Sequence, residues 1–145
     1  LISSGKIAMS VEVVLDASMA AKCYFLEPGQ ARAVALVLSG VTILAPDLIF
    51  SEVANVAAKK FRRGQVSMDL AQDAVADVGK LISEVISASS LAVAAFDLAA
   101  SHGFSAYDGI YLALADARGA VLATADERLI ARADKVGLGH LIWTG

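Results

Sequence analysis

Five short aliphatic and β-branched runs, at residues 11–15, 41–45, 85–89, 120–124 and 141–143, punctuate this chain, and helix-forming stretches fill the intervals between them. The runs are apolar rather than alternating, which is the pattern of strands covered on both faces. Strands that return through helices pair in parallel, because a parallel crossover needs about the length of a helix to turn back. The expected architecture is therefore α/β, with helices on both faces of a mostly parallel sheet of about five strands. Helices are expected over 18–26, 31–38, 47–63, 67–81, 90–101, 107–118 and 126–135. Pro28-Gly29, Gly40, Gly64, His102-Gly103 and Gly119 supply the breaks between elements.

Composition closes several alternatives. Hydrophobic residues make up 57% of the 145 and charged residues 19%, which is far from the polar, charged make-up of disordered chains. Charges interrupt every apolar stretch before it reaches the about 18 residues of a membrane span. Cys23 is alone, so no internal disulfide calls for an oxidising compartment. No basic segment leads into an apolar run with a small-residue cleavage site. These features point to a soluble protein of the cytoplasm with no membrane partner, folded as one domain over 11–145. Residues 1–10, LISSGKIAMS, read as a non-native leader followed by a native start near Met9.

In open α/β sheets, ligands bind beyond the carboxyl ends of the strands. Asp16 follows the first run directly, and Asp126 follows the fourth with one residue between. Either alone is explained by helix capping. Glu52 is expected to begin the regular part of the helix after Pro46, and Asp108 to open the apolar helix YDGIYLALA, both favoured there by the helix dipole. Together, however, the four acids fall at one end of the sheet. Unit charges about 5 Å apart at an effective dielectric near 20 repel by ~3 kcal/mol per pair. Such a cluster needs proton uptake or a hard cation, Mg²⁺ or Mn²⁺, as one or two ions. With one Cys and the distant His102 and His140, no zinc site of recognised spacing is possible.

The segments that hold these acids are VVLDAS at 13–18, PDLIFSE at 46–52, YDGIYLALA at 107–115 and TADERL at 124–129. In order and spacing they resemble the four motifs of PIN-domain nucleases, most closely the VapC-type toxins of prokaryotic toxin–antitoxin pairs. The resemblance spans nearly all of the chain after residue 10. It implies a three-layer PIN-like fold and a metal-dependent endoribonuclease. Asp16, Glu52, Asp108 and Asp126 would be the catalytic and metal-holding acids, supported by Ser18 and Thr124. It also implies a cognate antitoxin and a homodimer. Some relatives carry a further acid two positions after the last Asp, where this chain has Arg128, which leaves a second ion loosely held or dependent on RNA. Asp47, Asp97 and Asp116 are not part of the pattern and are expected to face solvent.

An RNA substrate is a polyanion, whereas the chain carries a net charge of −3. The local answer is the basic run Lys59, Lys60, Phe61, Arg62, Arg63. On a helix, Asn55 lies about 60° from Glu52, and Lys59 and Arg63 each lie about 20° from it on opposite sides. One face thus runs from acid to amide to cations, suited to a phosphate backbone, although a helix dipole also favours cations in its last turn. Tyr107, Tyr111 and Phe61 are either core residues or platforms for unpaired bases.

Rival chemistries fit less well. Cys23 lacks a base partner, and no G-x-S-x-G elbow exists. The turn DASMAAK has no glycine for a dinucleotide, and Ser18 stands where a haloacid-dehalogenase-type phosphatase needs its second Asp. A non-toxin RNA-processing nuclease, or an inactive module of the same fold that binds RNA or protein, is the remaining alternative.

Overall fold

The computed structural model describes residues 11–145; the expectation for residues 1–10 lies outside them. Four parallel strands form the sheet: β1 (Glu12–Leu15), β2 (Thr42–Pro46), β3 (Glu84–Ile86) and β4 (Val121–Ala123), in the order β3-β2-β1-β4. Seven α-helices accompany them: α1 (Ala17–Lys22), α2 (Gln30–Leu38), α3 (Leu48–Arg62), α4 (Met68–Asp77), α5 (Ala92–His102), α6 (Ala106–Arg118) and α7 (Glu127–Lys135). Among the described residues, no helix is long and apolar enough to cross a membrane.

Side chains on a strand alternate between faces, and β1 shows the result. Val13 and Leu15 pack into one apolar cluster with Ala17, Ala20, Ala33 and Ile49, from α1, α2 and α3. Val14 points the other way, into a cluster with Leu112 and Leu114 of α6 and Leu129 of α7. The sheet is therefore the middle of three layers, as expected. A smaller cluster of Ala21, Phe25, Ala57, Ala71 and Ala74 joins α1, α3 and α4.

Two expectations for the sheet are corrected. The run at 141–143 does not form a fifth strand: Gly139–Leu141 is a 3-10 turn, and Ile142 contributes a single bridge to Leu122. The run at 85–89 shortens to β3, whose Glu84 and Val85 are exposed because the strand lies at the edge of the sheet. Most helices are close to their expected ranges, but the one expected over 18–26 ends at Lys22, and 67–81 and 90–101 are partly 3-10: Val78–Leu81 ends the first and Ala88–Leu91 precedes the second. Gly103 and Gly119 close α5 and α6 with φ of 75° and 61°, a conformation that favours glycine.

This topology creates one crevice. The chain leaves β1 toward the α1–α3 face and leaves β4 toward the α6–α7 face, although the two strands are neighbours. Between such diverging turns lies the usual ligand position of an open α/β sheet.

Candidate active site

Asp16 stands where β1 becomes α1. Its extended backbone makes it the N-cap, and its Oδ1 accepts from the Met19 amide at 2.9 Å and from the Ser18 hydroxyl at 2.7 Å. The capping role considered from sequence is thus real, yet the carboxylate is only 6% exposed. Capping does not require burial. Across the crevice, Thr124 Oγ1 accepts from the Asp126 amide at 3.0 Å, and Ser18 Oγ accepts from the Ala125 amide at 2.9 Å. These bonds tie the turn after β1 to the turn after β4.

Asp126 caps α7, its Oδ1 accepting from the amides of Arg128 and Leu129, and it is exposed. Asp108 lies in the first turn of α6, behind the N-cap Ser105, whose Oγ accepts from the Asp108 amide at 3.0 Å. Glu52 departs from expectation. Helix α3 begins at Leu48, so Glu52 belongs to its second turn and the helix dipole does not account for it. Its Oε1 accepts instead from the Tyr111 hydroxyl at 2.6 Å.

Three of the acids are raised, each by burial first and by a neighbouring carboxylate second. Burial pushes the Asp16 carboxyl up to about 6; bonds from Thr124, Ser18 and the Met19 amide oppose this, and the Glu52 charge adds to it. Glu52 is raised by burial and by Asp108, against the Tyr111 bond. Asp108 is raised by burial and by Asp126, against Ser105. Among the described residues, none of the ion pairs involves these four acids: the Lys and Arg partners engage Glu12, Glu27, Asp77 and Glu84. Burial with mutual repulsion and no paired cationic side chain is a strain that a bound cation would relieve. The acids form a line of neighbours rather than a closed cage, since among the described residues no three His, Cys, Asp or Glu side chains are placed to close on one ion. The donor set itself, four carboxylates flanked by two hydroxyls, consists of hard oxygen and suits Mg²⁺ or Mn²⁺.

Asn55 and Lys59 are exposed on α3 beyond Glu52. Arg63 is the C-cap of that helix and also exposed. Arg62 diverges from this face and lines an apolar groove of about 420 Å³ between α3 and α4, together with Phe61 and Met68. Lys60 is held by Glu27. Of the three candidate stacking aromatics, Tyr107 is open to solvent, Phe61 belongs to the groove, and Tyr111 is buried. Asp47, Asp97 and Asp116 are exposed as expected, and Asp47 accepts from the Ala88 amide at 2.9 Å. Burial pushes the Cys23 thiol up, which removes it further from nucleophilic chemistry.

Sequence reasoning misses two residues of consequence. It allows Tyr111 as core or as a base platform, but not as a partner of Glu52. The available signal is a phenol within a buried aliphatic helix, which must find a hydrogen-bond partner. Gly109 is the second: a Cβ there would lie 2.7 Å from the Ala95 carbonyl oxygen, so this glycine lets α5 lie directly against α6 beside Asp108.

A parallel three-layer sheet with acids at its diverging turns is the arrangement of a PIN domain, and the PIN domain family matches residues 13–136. The chain belongs to that family. Within it the chain is of the VapC type: ribonuclease VapC3 from Pyrobaculum aerophilum is 33% identical over 121 residues, covering 82% of this chain and 92% of that protein. The crystal structure of PAE2754 from Pyrobaculum aerophilum shares the fold, with a TM-score of 0.66 and 23% identity over 94% of this chain and 92% of that one.

Proposed function

We propose that this VapC-type PIN domain is a divalent-metal-dependent endoribonuclease and the toxin of a toxin–antitoxin pair. The observation that carries the catalytic reading is the buried Asp16 carboxylate, raised in pKa beside Glu52, with no cationic side chain paired to either among the described residues. The kinship with a protein named as a ribonuclease supports RNA as the substrate.

Asp16, Glu52, Asp108 and Asp126 would hold Mg²⁺ or Mn²⁺, as one or two ions. A bound divalent cation supplies the charge that polarises a phosphodiester and makes water a usable nucleophile at neutral pH. The protein supplies position. Ser18 and Thr124 hold Asp16 and the β4 turn in register, while one carboxylate serves as proton acceptor. Asn55, Lys59 and Arg63 offer a polar and cationic path along α3 for the RNA backbone. The cognate antitoxin, the homodimer and the cytoplasmic setting follow from the VapC kinship and are part of this proposal.

The second reading is an inactive module of the same fold that holds RNA or protein, and the open line of acids favours it. Purified protein decides between them. Cleavage of RNA with Mg²⁺ or Mn²⁺ should be abolished by EDTA. Asp16→Asn and Asp108→Asn should each reduce it by more than the about 10- to 100-fold that outer-shell partners contribute. Folded variants that cleave as fast as the parent would overturn the assignment. A short neighbouring reading frame encoding a DNA-binding protein would support the toxin role; without one, an RNA-processing nuclease is the better description.

A further inference from the structure

Three elements of the crevice meet at one oxygen atom. Tyr111 lies on α6 three residues after Asp108, which puts the two about 60° apart around the helix. Its side chain is 2% exposed and reaches across to α3, where the hydroxyl donates to Glu52 Oε1 at 2.6 Å. The Ala17 amide, one residue beyond Asp16, faces the same hydroxyl from α1.

Resting on the metal-dependent reading above, we infer that Tyr111 is a positioning residue: its hydroxyl fixes the Glu52 carboxylate against the Asp16 turn so that both acids can serve one cation. Glu52 has a long side chain and is half-buried, so without a partner it would sample several rotamers. The phenol selects one of them and occupies Oε1, which leaves Oε2 for the crevice. A carboxylate has lone pairs enough for both partners. The phenol gives its one proton to Glu52, so it acts as a donor to that carboxylate. The link also joins acids carried by separate elements, which a contact within α3 could not do. Packing alone would be satisfied by phenylalanine, which has the same ring.

The test is Tyr111→Phe in the full chain, read by Mn²⁺ titration with electron paramagnetic resonance in the absence of RNA. Mn²⁺ binding should weaken by about 10-fold or more, with kcat for RNA cleavage falling and KM changing less than about twofold. In a Glu52→Gln background the same substitution should add nothing, because its effect passes through that carboxylate. Binding within twofold of the parent, or equal weakening in both backgrounds, would overturn the role. Because Tyr111→Phe removes a buried bond and can impair folding, the unaltered chain provides a second measurement. With ¹³C-labelled tyrosine, Mg²⁺ should move the Tyr111 ring resonance and leave that of Tyr24 in place; a stationary Tyr111 signal at saturating Mg²⁺ counts against the inference. A parent chain that takes up neither ion removes the metal reading and this role together, whereas a parent that binds while Tyr111→Phe is indifferent removes this role alone.

Discussion

Ser18 and Thr124, separated by 106 positions in the chain, place their hydroxyl oxygens 3.3 Å apart. Ser18 gives its proton to Asp16, and the single proton of Thr124 serves either Ser18 or the same carboxylate. The pair closes the crevice floor between β1 and β4, and both hydroxyls draw the buried Asp16 carboxyl downward in pKa. Thr124→Val preserves shape and removes the hydroxyl, and Ser18→Ala does nearly the same. Each should cost about 1–2 kcal/mol in urea denaturation. The double variant should cost less than the sum, because the two belong to one network.

Asp16 makes the ion-free protein less stable at neutral pH. Its folded pKa of about 6 lies above the ordinary 3.8, so the folded state binds the proton more tightly than the unfolded state does. The resulting penalty is absent well below 3.8, grows as pH rises through that window, and is complete above about 6. The two-unit difference corresponds to about 3 kcal/mol. In EDTA, Asp16→Asn should therefore be more stable than the parent at pH 7.5, and the advantage should shrink as pH falls from 6 toward 4 in parallel urea melts.

Cation binding should close most of that gap. At a Mn²⁺ concentration about 100 times the dissociation constant, the parent gains about 2.7 kcal/mol, which is a Tm increase of roughly 5–10 °C at this chain length. Asp16→Asn and Asp108→Asn should gain much less. An equal increase in all three chains by scanning calorimetry would mean that Mn²⁺ binds elsewhere.

Gly109 supports the site through backbone approach. A methyl group there meets the Ala95 carbonyl oxygen at 2.7 Å and its Cα at 3.1 Å, both of which are backbone atoms that cannot rotate away. Gly109→Ala should force α5 from α6 and lower stability by about 1–3 kcal/mol, despite the better helix propensity of alanine. Thermal unfolding of this variant is the measurement, and an unchanged or raised Tm would show that α5 yields without strain.

Lys59 and Arg63 should act through charge. Reversal to Glu at both positions should weaken binding of single-stranded RNA and reduce the slope of log K against log salt by roughly 0.7 for each phosphate that is no longer neutralised. An unchanged slope would assign this face to a protein partner or to no ligand.

The strand and helix order is legible because it rests on local periodicity and on breakers such as Gly64, Gly103 and Gly119. Residues 141–143 mislead because their apolar run resembles a strand, while after the 3-10 turn they make only an isolated bridge to Leu122, through Ile142 and the Trp143 amide. Glu52 stands out as an acid, but its expected place at the start of the regular helix is a turn too early, since α3 is already regular from Leu48. Arg62 joins Lys59 and Arg63 by adjacency, although one step around the helix carries it into the groove with Phe61.

The amino-acid order alone settled the α/β alternation, the position of Asp16, Asp108 and Asp126 at strand and helix ends, and the family to which the motifs belong. These properties depend on backbone conformation and spacing, which neighbouring residues dictate. Tertiary structure decided which acid is hidden and which is bare. Asp16 and Asp126 are both N-caps, yet Asp16 is buried and Asp126 is exposed. It also brought the Tyr111 hydroxyl to Glu52 across 59 positions of chain. Desolvation and hydrogen-bond partners come from whatever the fold packs against a group, and those neighbours come from distant parts of the chain.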